Sequence, residues 1–265
     1  MSLLSKFKIS NGVNWIGLYT LTRREVERTF RLPTQTLVTP WITALLYIFI
    51  FGKVVGSRIE YISGVPYINF VLPGILMLNI IAGSFAASSS TVYFKRFIRD
   101  IEEILVAPLS YGEMIIGFTV SAVVRSILIA IGILVIAIFF GGANIDHFPL
   151  FLFYVATVSA IFALLGIITG LWAKGFEQFS LLNTFLITPL SFLGGVFYSV
   201  EMLPKNMQFI ALYNPFFYFI DGIRYSMIGI REGGRGIGFV IILGLVALLG
   251  VIVWYLFKIG WRLRA

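Results

Sequence analysis

Residues 114–140 read MIIGFTVSAVVRSILIAIGILVIAIFF, and this run decides the class of fold. Its only charge is Arg125. A helix crossing a bilayer needs about 20 predominantly apolar residues, and the run exceeds that length. The same texture recurs outward from it. Apolar runs cover 67–94 and 37–52 on one side, the latter reaching Gly56 if tilted, and 149–173, 179–200 and 237–257 on the other. Pro73-Gly74 lies near the start of the 67–94 run, and Pro189 lies inside 179–200. Of the 265 residues, 59% are hydrophobic and 12% charged, whereas a soluble domain is about 45–50% apolar and about 25% charged. So much apolar material leaves too little polar surface for a water-soluble enzyme or a nucleic-acid binder. The expected fold is an all-α polytopic membrane protein with six transmembrane helices.

Two segments break the pattern. Residues 15–31 have helical spacing but are too charged to span. Trp15, Leu18, Tyr19, Thr22, Val26 and Phe30 share one arc, and Arg23, Arg24, Glu27, Arg28 and Arg31 take the opposite side, with Ile16 and Leu21 off the stripe. This predicts an N-terminal amphipathic helix in the headgroup plane, its arginines toward anionic lipid or a partner. Leu32-Pro33 ends it, because the residue before proline is pushed out of the α region. Residues 202–231 are apolar and aromatic, yet Asn214-Pro215 divides them into pieces too short to cross. Asn214 suits an N-cap and Pro215 the first helical position. An external re-entrant helical hairpin between the fifth and sixth spans is expected, covered by protein or lining a wet cavity. The chain thus divides into an arm, 1–36, and a transmembrane domain, 37–265.

The net charge is +8. Thirteen of the twenty Lys and Arg fall on one side of a six-span topology. They are Lys6, Lys8, Arg23, Arg24, Arg28 and Arg31 in the arm, Lys95, Arg96 and Arg99 in the second loop, Lys174, and Lys258, Arg262 and Arg264 in the tail. Lys53, Arg58, Lys205, Arg224, Arg231 and Arg235 fall on the other. The positive-inside bias places both termini in the cytoplasm, in a plasma or inner membrane protein. The excess reads as orientation and lipid contact rather than affinity for nucleic acid. Absence of cysteine excludes disulfides and thiolate chemistry. His147, the only histidine, sits in a loop beside Asp146, and no metal site is expected. Residues 1–14 lack an apolar core followed by a small-residue cleavage site, so insertion is expected to rely on the spans.

Residues 95–110 read KRFIRDIEEILVAPLS. They predict a short amphipathic helix stopped near Pro108, with Ile98, Ile101, Leu105 and also Glu102 at helical spacing on one face and Arg99, Asp100 and Glu103 turned away. Alone, it reads equally as a solvated loop helix. Its wording resembles the ABC-2 type permeases, membrane subunits of ATP-driven exporters, which carry a Glu-x-x-Leu-x-x-Pro-Leu-Ser-like run after the second span. Here the run is Glu102, Leu105, Pro108, Leu109 and Ser110. Two further blocks match in order: FVLPGI at 70–75, and TPLSFLGGVFY at 188–198, followed by Leu203-Pro204 and Leu212-Tyr213-Asn214-Pro215 to Arg224. The resemblance covers nearly the whole chain and looks closest to drug- or lipid-type members. It implies a homodimeric permease bound to a separate ABC ATPase that holds ATP and Mg, exporting a drug, lipid or glycoconjugate. It makes Arg99, Glu102, Glu103 and Pro108 the candidates for ATPase contact. The residues agree that the ATPase is separate. No Gly-x-x-x-x-Gly-Lys-Ser/Thr loop occurs, Gly52-Lys53 is followed by valine, and GRGIG at 234–238 lacks the third glycine of a dinucleotide turn. The chain itself is therefore expected to be no enzyme and to bind no cofactor.

Other residues carry two readings each. Arg125 lies some ten residues past Glu113, roughly 15 Å deep. A charge there faces a pathway or a dimer interface, or else it snorkels or pairs structurally. Ala82, Ala86 and Ser90, with Gly83 and Ala87, have the spacing of close helix packing. The hydroxyls Ser84, Ser88, Ser89, Ser90 and Thr91 fit a path lining as well. Asp221 and Arg224 are three apart and can pair. The aromatics Tyr213, Phe216, Phe217, Tyr218, Phe219 and Tyr225 fit an external lid or a headgroup belt. Two rival functions have less support. A membrane-embedded enzyme needs paired carboxylates, a Ser/His pair or metal ligands at depth. An ATP-independent secondary transporter or channel would normally show inverted repeats and ion-coupling residues.

Overall fold

In the computed structural model the arm folds as α1, Trp15–Arg31, whose N-cap Asn14 accepts a hydrogen bond from the Gly17 N–H at 2.9 Å. The model describes residues 12–142, 144–234 and 236–263. Lys6, Lys8, Arg235 and Arg264, counted in the charge bias, lie outside them. The buried face of α1 is Leu21, Glu25 and Thr29, while Trp15, Ile16, Tyr19 and Phe30 are exposed. Trp15, Tyr19 and Phe30 of the stripe stand clear of the protein, Leu21, off the stripe, is buried, and Arg24 and Arg28 reach Asp100 and Thr91. The helix docks through the edge of its charged side, where carboxylate and guanidinium groups find partners, and its apolar stripe is left for lipid.

After the break at Leu32 the chain is helical from Thr34 to Val55. A π-helical turn, Thr34–Val38, leads into α2, Thr39–Tyr47, and a second, Ile48–Val55, leaves it. A two-stranded hairpin follows, β1 Tyr61–Ile62 and β2 Val65–Pro66. Ser63 and Gly64 turn it with φ of 50° and 83°, the positive pair a tight hairpin turn needs. Then come α3 Tyr67–Phe97, α4 Asp100–Val106, α5 Tyr111–Phe139 and α6 Phe148–Trp172. Next, α7 Phe176–Leu182 runs through a π-helical turn, Asn183–Ile187, into α8 Thr188–Leu193. The last helices are α9 Lys205–Tyr213, α10 Pro215–Ile228 and α11 Ile237–Lys258.

Among the described residues, five segments are long and apolar enough to cross a membrane: Thr34–Val55, α3, α5, α6 and α11. The protein is thus an all-α multi-pass membrane protein. The run expected at 179–200 behaves differently. Its helix starts at Phe176, includes Glu177, Gln178 and Asn183, and stops at Leu193, where Gly194 and Gly195 turn the chain.

Two of the π-helical turns have one cause. Each precedes a Thr-Pro pair, Thr39-Pro40 or Thr188-Pro189. A proline inside a helix lacks an N–H and its ring meets the carbonyl four residues back. Widening the preceding turn removes that clash. The threonine hydroxyl then bonds the carbonyl five residues back, Thr39 Oγ1 to Thr34 O and Thr188 Oγ1 to Asn183 O, both at 2.9 Å.

The most extensive helix pair is α3 with α6. Gly166 and Gly170 of α6 make it possible. A Cβ on Gly166 would stand 2.7 Å from Phe85 O and 2.9 Å from Ser88 Cβ, and one on Gly170 would stand 2.7 Å from Ser89 O. Gly166→Ala should therefore cost about 1–3 kcal/mol through overpacking. Thermal melting in detergent checks this, with Gly244→Ala, whose Cβ meets nothing within 4 Å, expected to leave the melting temperature unchanged or raised. The open end of α6 is closed by cations, as helix C-termini favour. Arg96 Nη1 donates to Gly170 O at 2.8 Å and Ala173 O at 3.2 Å, and Arg262 Nη1 donates to Trp172 O.

The expected break at Asn214-Pro215 is present. Asn214 caps α10, its side chain accepting from the Phe216 N–H at 3.1 Å. The aromatics divide differently from a lid or a belt. Phe216, Phe217 and Phe219 are buried, Phe216 and Phe219 packing on Phe162 of α6 at 5.3 and 5.9 Å between ring centres, whereas Tyr213 is 83% exposed. Helix α10 is core because it packs on α3 and α6. Arg224 is fully buried at its centre. It donates to Gly195 O at 2.6 Å and Phe70 O at 3.4 Å, lies 3.9 Å from the centre of the Phe70 ring, and stands 3.7 Å from Glu232. Glu232, rather than Asp221, is its ion-pair partner. Asp221 instead accepts from the Glu232 N–H at 2.6 Å.

Candidate functional site

Charge gathers where α3 ends, α4 and α5 begin and α1 crosses them. Lys95, near the end of α3, is buried, and an ammonium in that position requires anionic partners. It has two: Glu25 of α1 at 3.0 Å and Asp100 of α4 at 2.7 Å. The other oxygen of Asp100 pairs with Arg24 of α1 at 2.9 Å. Burial pushes the Asp100 carboxyl up, but the hydrogen bonds and charges of Lys95 and Arg24 outweigh it and hold the group below the usual carboxylate range. These four side chains fasten three helices to one another.

A second fastening lies at the start of α1. Ser110 and Glu113 form a capping box on α5, with Ser110 N donating to Glu113 Oε2 at 2.6 Å and Glu113 N donating to Ser110 Oγ at 3.3 Å. The free oxygen of Glu113 accepts from Asn14 N at 2.6 Å, and Asn14 Nδ2 donates to Pro108 O at 3.0 Å. The corner between α4 and α5 is thus tied to the arm.

Helix α4 is shorter than expected. Arg99 adopts φ 61°, so α3 ends at Phe97 and α4 starts at Asp100. Ile98 is therefore exposed rather than on the packed face, which is formed by Ile101 and Ile104. Asp100 is turned in, not away. Arg99, Glu102, Glu103 and Pro108 are all exposed and share this corner.

The arm arginines have different surroundings. Arg23 pairs along α1 with Glu27 at 2.7 Å. Arg28 lies 4.0 Å from Glu25 and donates to Thr91 Oγ1 at 3.1 Å, while Arg31 is exposed. Arg28 and Arg125 line one cavity of about 320 Å³ between α1, α3, α5 and α7. The small residues of α3 divide otherwise than by the two readings, since Ala86, Ala87 and Ser90, expected at a helix contact, line the cavity, while the hydroxyl residues Ser84 and Ser89 face neighbouring helices. Ser84 bonds Ser126 of α5 at 2.7 Å and Ser89 packs on α6, while Ala87, Ser90 and Thr91 line the cavity. Among the described residues, no group of three or more His, Cys, Asp or Glu side chains could hold a metal ion.

Sequence reasoning missed Asn14, Glu25, Lys95 and Glu113. Two of them had a signal, since Asn14 precedes a helical pattern and Ser110-Tyr-Gly-Glu113 has capping-box spacing. Lys95 and Glu25 are far apart in sequence and carry none.

Comparison with known proteins places this arrangement. The ABC-2 type transporter family model matches residues 17–228, from the first turn of α1 to the last residue of α10. The chain belongs to the ABC-2 type transporter family. It is 35% identical over 251 residues to the inner membrane transport permease YadH of Escherichia coli K12, covering 95% of this chain and 98% of that protein. It is 28% identical over 224 residues to nodulation protein J of Rhizobium leguminosarum bv. viciae, covering 83% and 84%. Nodulation protein J of Rhizobium meliloti is likewise 28% identical, over 221 residues. ABC-2 permeases are transmembrane subunits that work with a separate ABC ATPase. Both fastenings of the arm, and α4 between them, lie inside the family match or within three residues of it.

Proposed function

We propose that this ABC-2 chain is the permease subunit of an ATP-driven exporter, moving an amphipathic drug, lipid or glycoconjugate across the inner membrane. It works as a homodimer with two copies of a separate ATPase that holds ATP and Mg, and both its termini are cytoplasmic. Two structural readings go with this. The helical segment 176–193, about 27 Å long at 1.5 Å per residue, is the sixth span of a hydrocarbon core of about 30 Å. Helices α9 and α10 are the external re-entrant hairpin.

The observation that carries the proposal is the build of α4. Its outward side presents Arg99, Glu102 and Glu103, while its inward side is held to α1 and α3 by the Lys95, Glu25, Asp100 and Arg24 charges. A push on that outward face reaches the arm and the second span together. Reversing both carboxylates, Glu102→Lys with Glu103→Lys, should lower co-purification of the ATPase tenfold or more and leave thermal melting of the permease unchanged, since both side chains are exposed. Undiminished co-purification and ATP turnover would remove α4 from the ATPase contact.

A further inference from the structure

The cavity between α1, α3, α5 and α7 holds a charge that no described residue answers. Arg125 forms no ion pair among the described residues, and its Nε is buried without a hydrogen-bond partner. A guanidinium inside a span is costly and persists where something pairs with it. Glu25, the one carboxylate on the wall among the described residues, is already engaged by Lys95 at 3.0 Å. Arg28 adds a second cation to the same wall, and Ser90, Thr91 and Ser121 add hydroxyls.

We infer that this cavity binds the phosphate group of an anionic amphiphile. Two guanidinium groups with neighbouring hydroxyls suit an oxyanion that offers several acceptors, and arginine forks pair with phosphate in two-pronged geometry. Basic pockets between membrane helices take lipid headgroups by the same chemistry. The volume, about 320 Å³, is at the small end for ligand sites and admits a headgroup without its tails. The tails have a way out, because the rim includes Leu32, Phe94 and Phe176, all exposed to the surroundings of the helices. The inference deepens the exporter reading by naming the chemistry of what docks. Binding is measured without ATP or transport, so either can fail alone.

The full chain in a neutral detergent is titrated with dioctanoyl phosphatidic acid, dioctanoyl phosphatidylcholine and inorganic phosphate. Saturable binding of phosphatidic acid is expected, at least tenfold tighter than that of phosphatidylcholine or of phosphate alone. Arg125→Gln and Arg28→Gln should each weaken it tenfold or more, and Arg125→Lys should keep part of it. Ala87→Phe fills the cavity while retaining both arginines, and it should abolish binding without loss of thermal stability. Equal binding of phosphatidic acid by the wild type, Arg125→Gln and Ala87→Phe would overturn the site. Inorganic phosphate binding as tightly as the lipid would overturn the amphiphile.

Discussion

Arg224→Ala is expected to destabilise the permease by about 3–5 kcal/mol, the usual result of removing one member of a buried ion pair. The guanidinium is fully enclosed and touches three separate elements: Phe70 of α3, Gly195 in the turn after α8, and Glu232 in the segment leading to α11. Its loss leaves Gly195 O without its donor and removes the charge opposite Glu232, which keeps only the hydrogen bond from Val200 N among the described residues, and the unpaired carboxylate accounts for most of the penalty. Arg224→Lys should recover little, because a single ammonium cannot reproduce the fork that serves two carbonyls and the face of the Phe70 ring. The double variant Arg224→Ala/Glu232→Ala should be more stable than Arg224→Ala alone, since both charges leave together. Thermal melting and the monodisperse yield in detergent measure all three. A cost below about 1 kcal/mol for Arg224→Ala would mean that Glu232 is answered by water and that the cluster is not structural.

Arg224 also shows where sequence reasoning stops. Its neighbour at helical spacing, Asp221, was the obvious partner, yet the pair forms with Glu232, beyond the end of α10. Local spacing reports what two residues on one helix can do, and it is silent on a chain segment that folds back. The same limit applies to Lys95 and Glu25, seventy residues apart. The helices were legible because hydrophobic run length and proline placement are local properties. The boundaries of α3, α5, α6 and α11 follow the apolar runs to within a few residues, and Asn214-Pro215 breaks the chain where the N-cap preference places it. The setting of α1 has a local physical reason as well. In water the apolar stripe of an amphipathic helix turns to the protein, but beside a bilayer the lipid takes it and the charged edge docks. The three sequence blocks that suggested ABC-2 permeases are local as well. The α3–α6 contact rests on Gly166-x-x-x-Gly170, a small-residue spacing that is legible in the sequence.

Lys95→Met should be the most damaging change on the α4 side of the molecule. It keeps the volume and the apolar stem but removes the ammonium, leaving Glu25, 6% exposed, and Asp100 without the cation between them. Two carboxylates facing one another across a buried gap should cost about 3–5 kcal/mol, and the double variant Lys95→Met/Glu25→Gln should return part of it. The pH dependence separates this from a packing defect. In the wild type the Asp100 carboxyl is held below its ordinary value, so its contribution is complete above the unfolded carboxylate pKa of about 3.9 and is lost as pH falls through the lower folded value. Without Lys95, burial is opposed only by Arg24, and the loss should move to higher pH. Melting temperatures between pH 3 and 7 should therefore fall away earlier for Lys95→Met than for the wild type. Coupling should fail in parallel. With α4 released from α1 and α3, ATPase turnover in the complex should lose its response to transported substrate, while the proposed ATPase contact at the exposed Glu102 and Glu103 should be retained. A variant that melts like the wild type and retains that response would show that the buried charges neither hold the corner together nor carry motion through it.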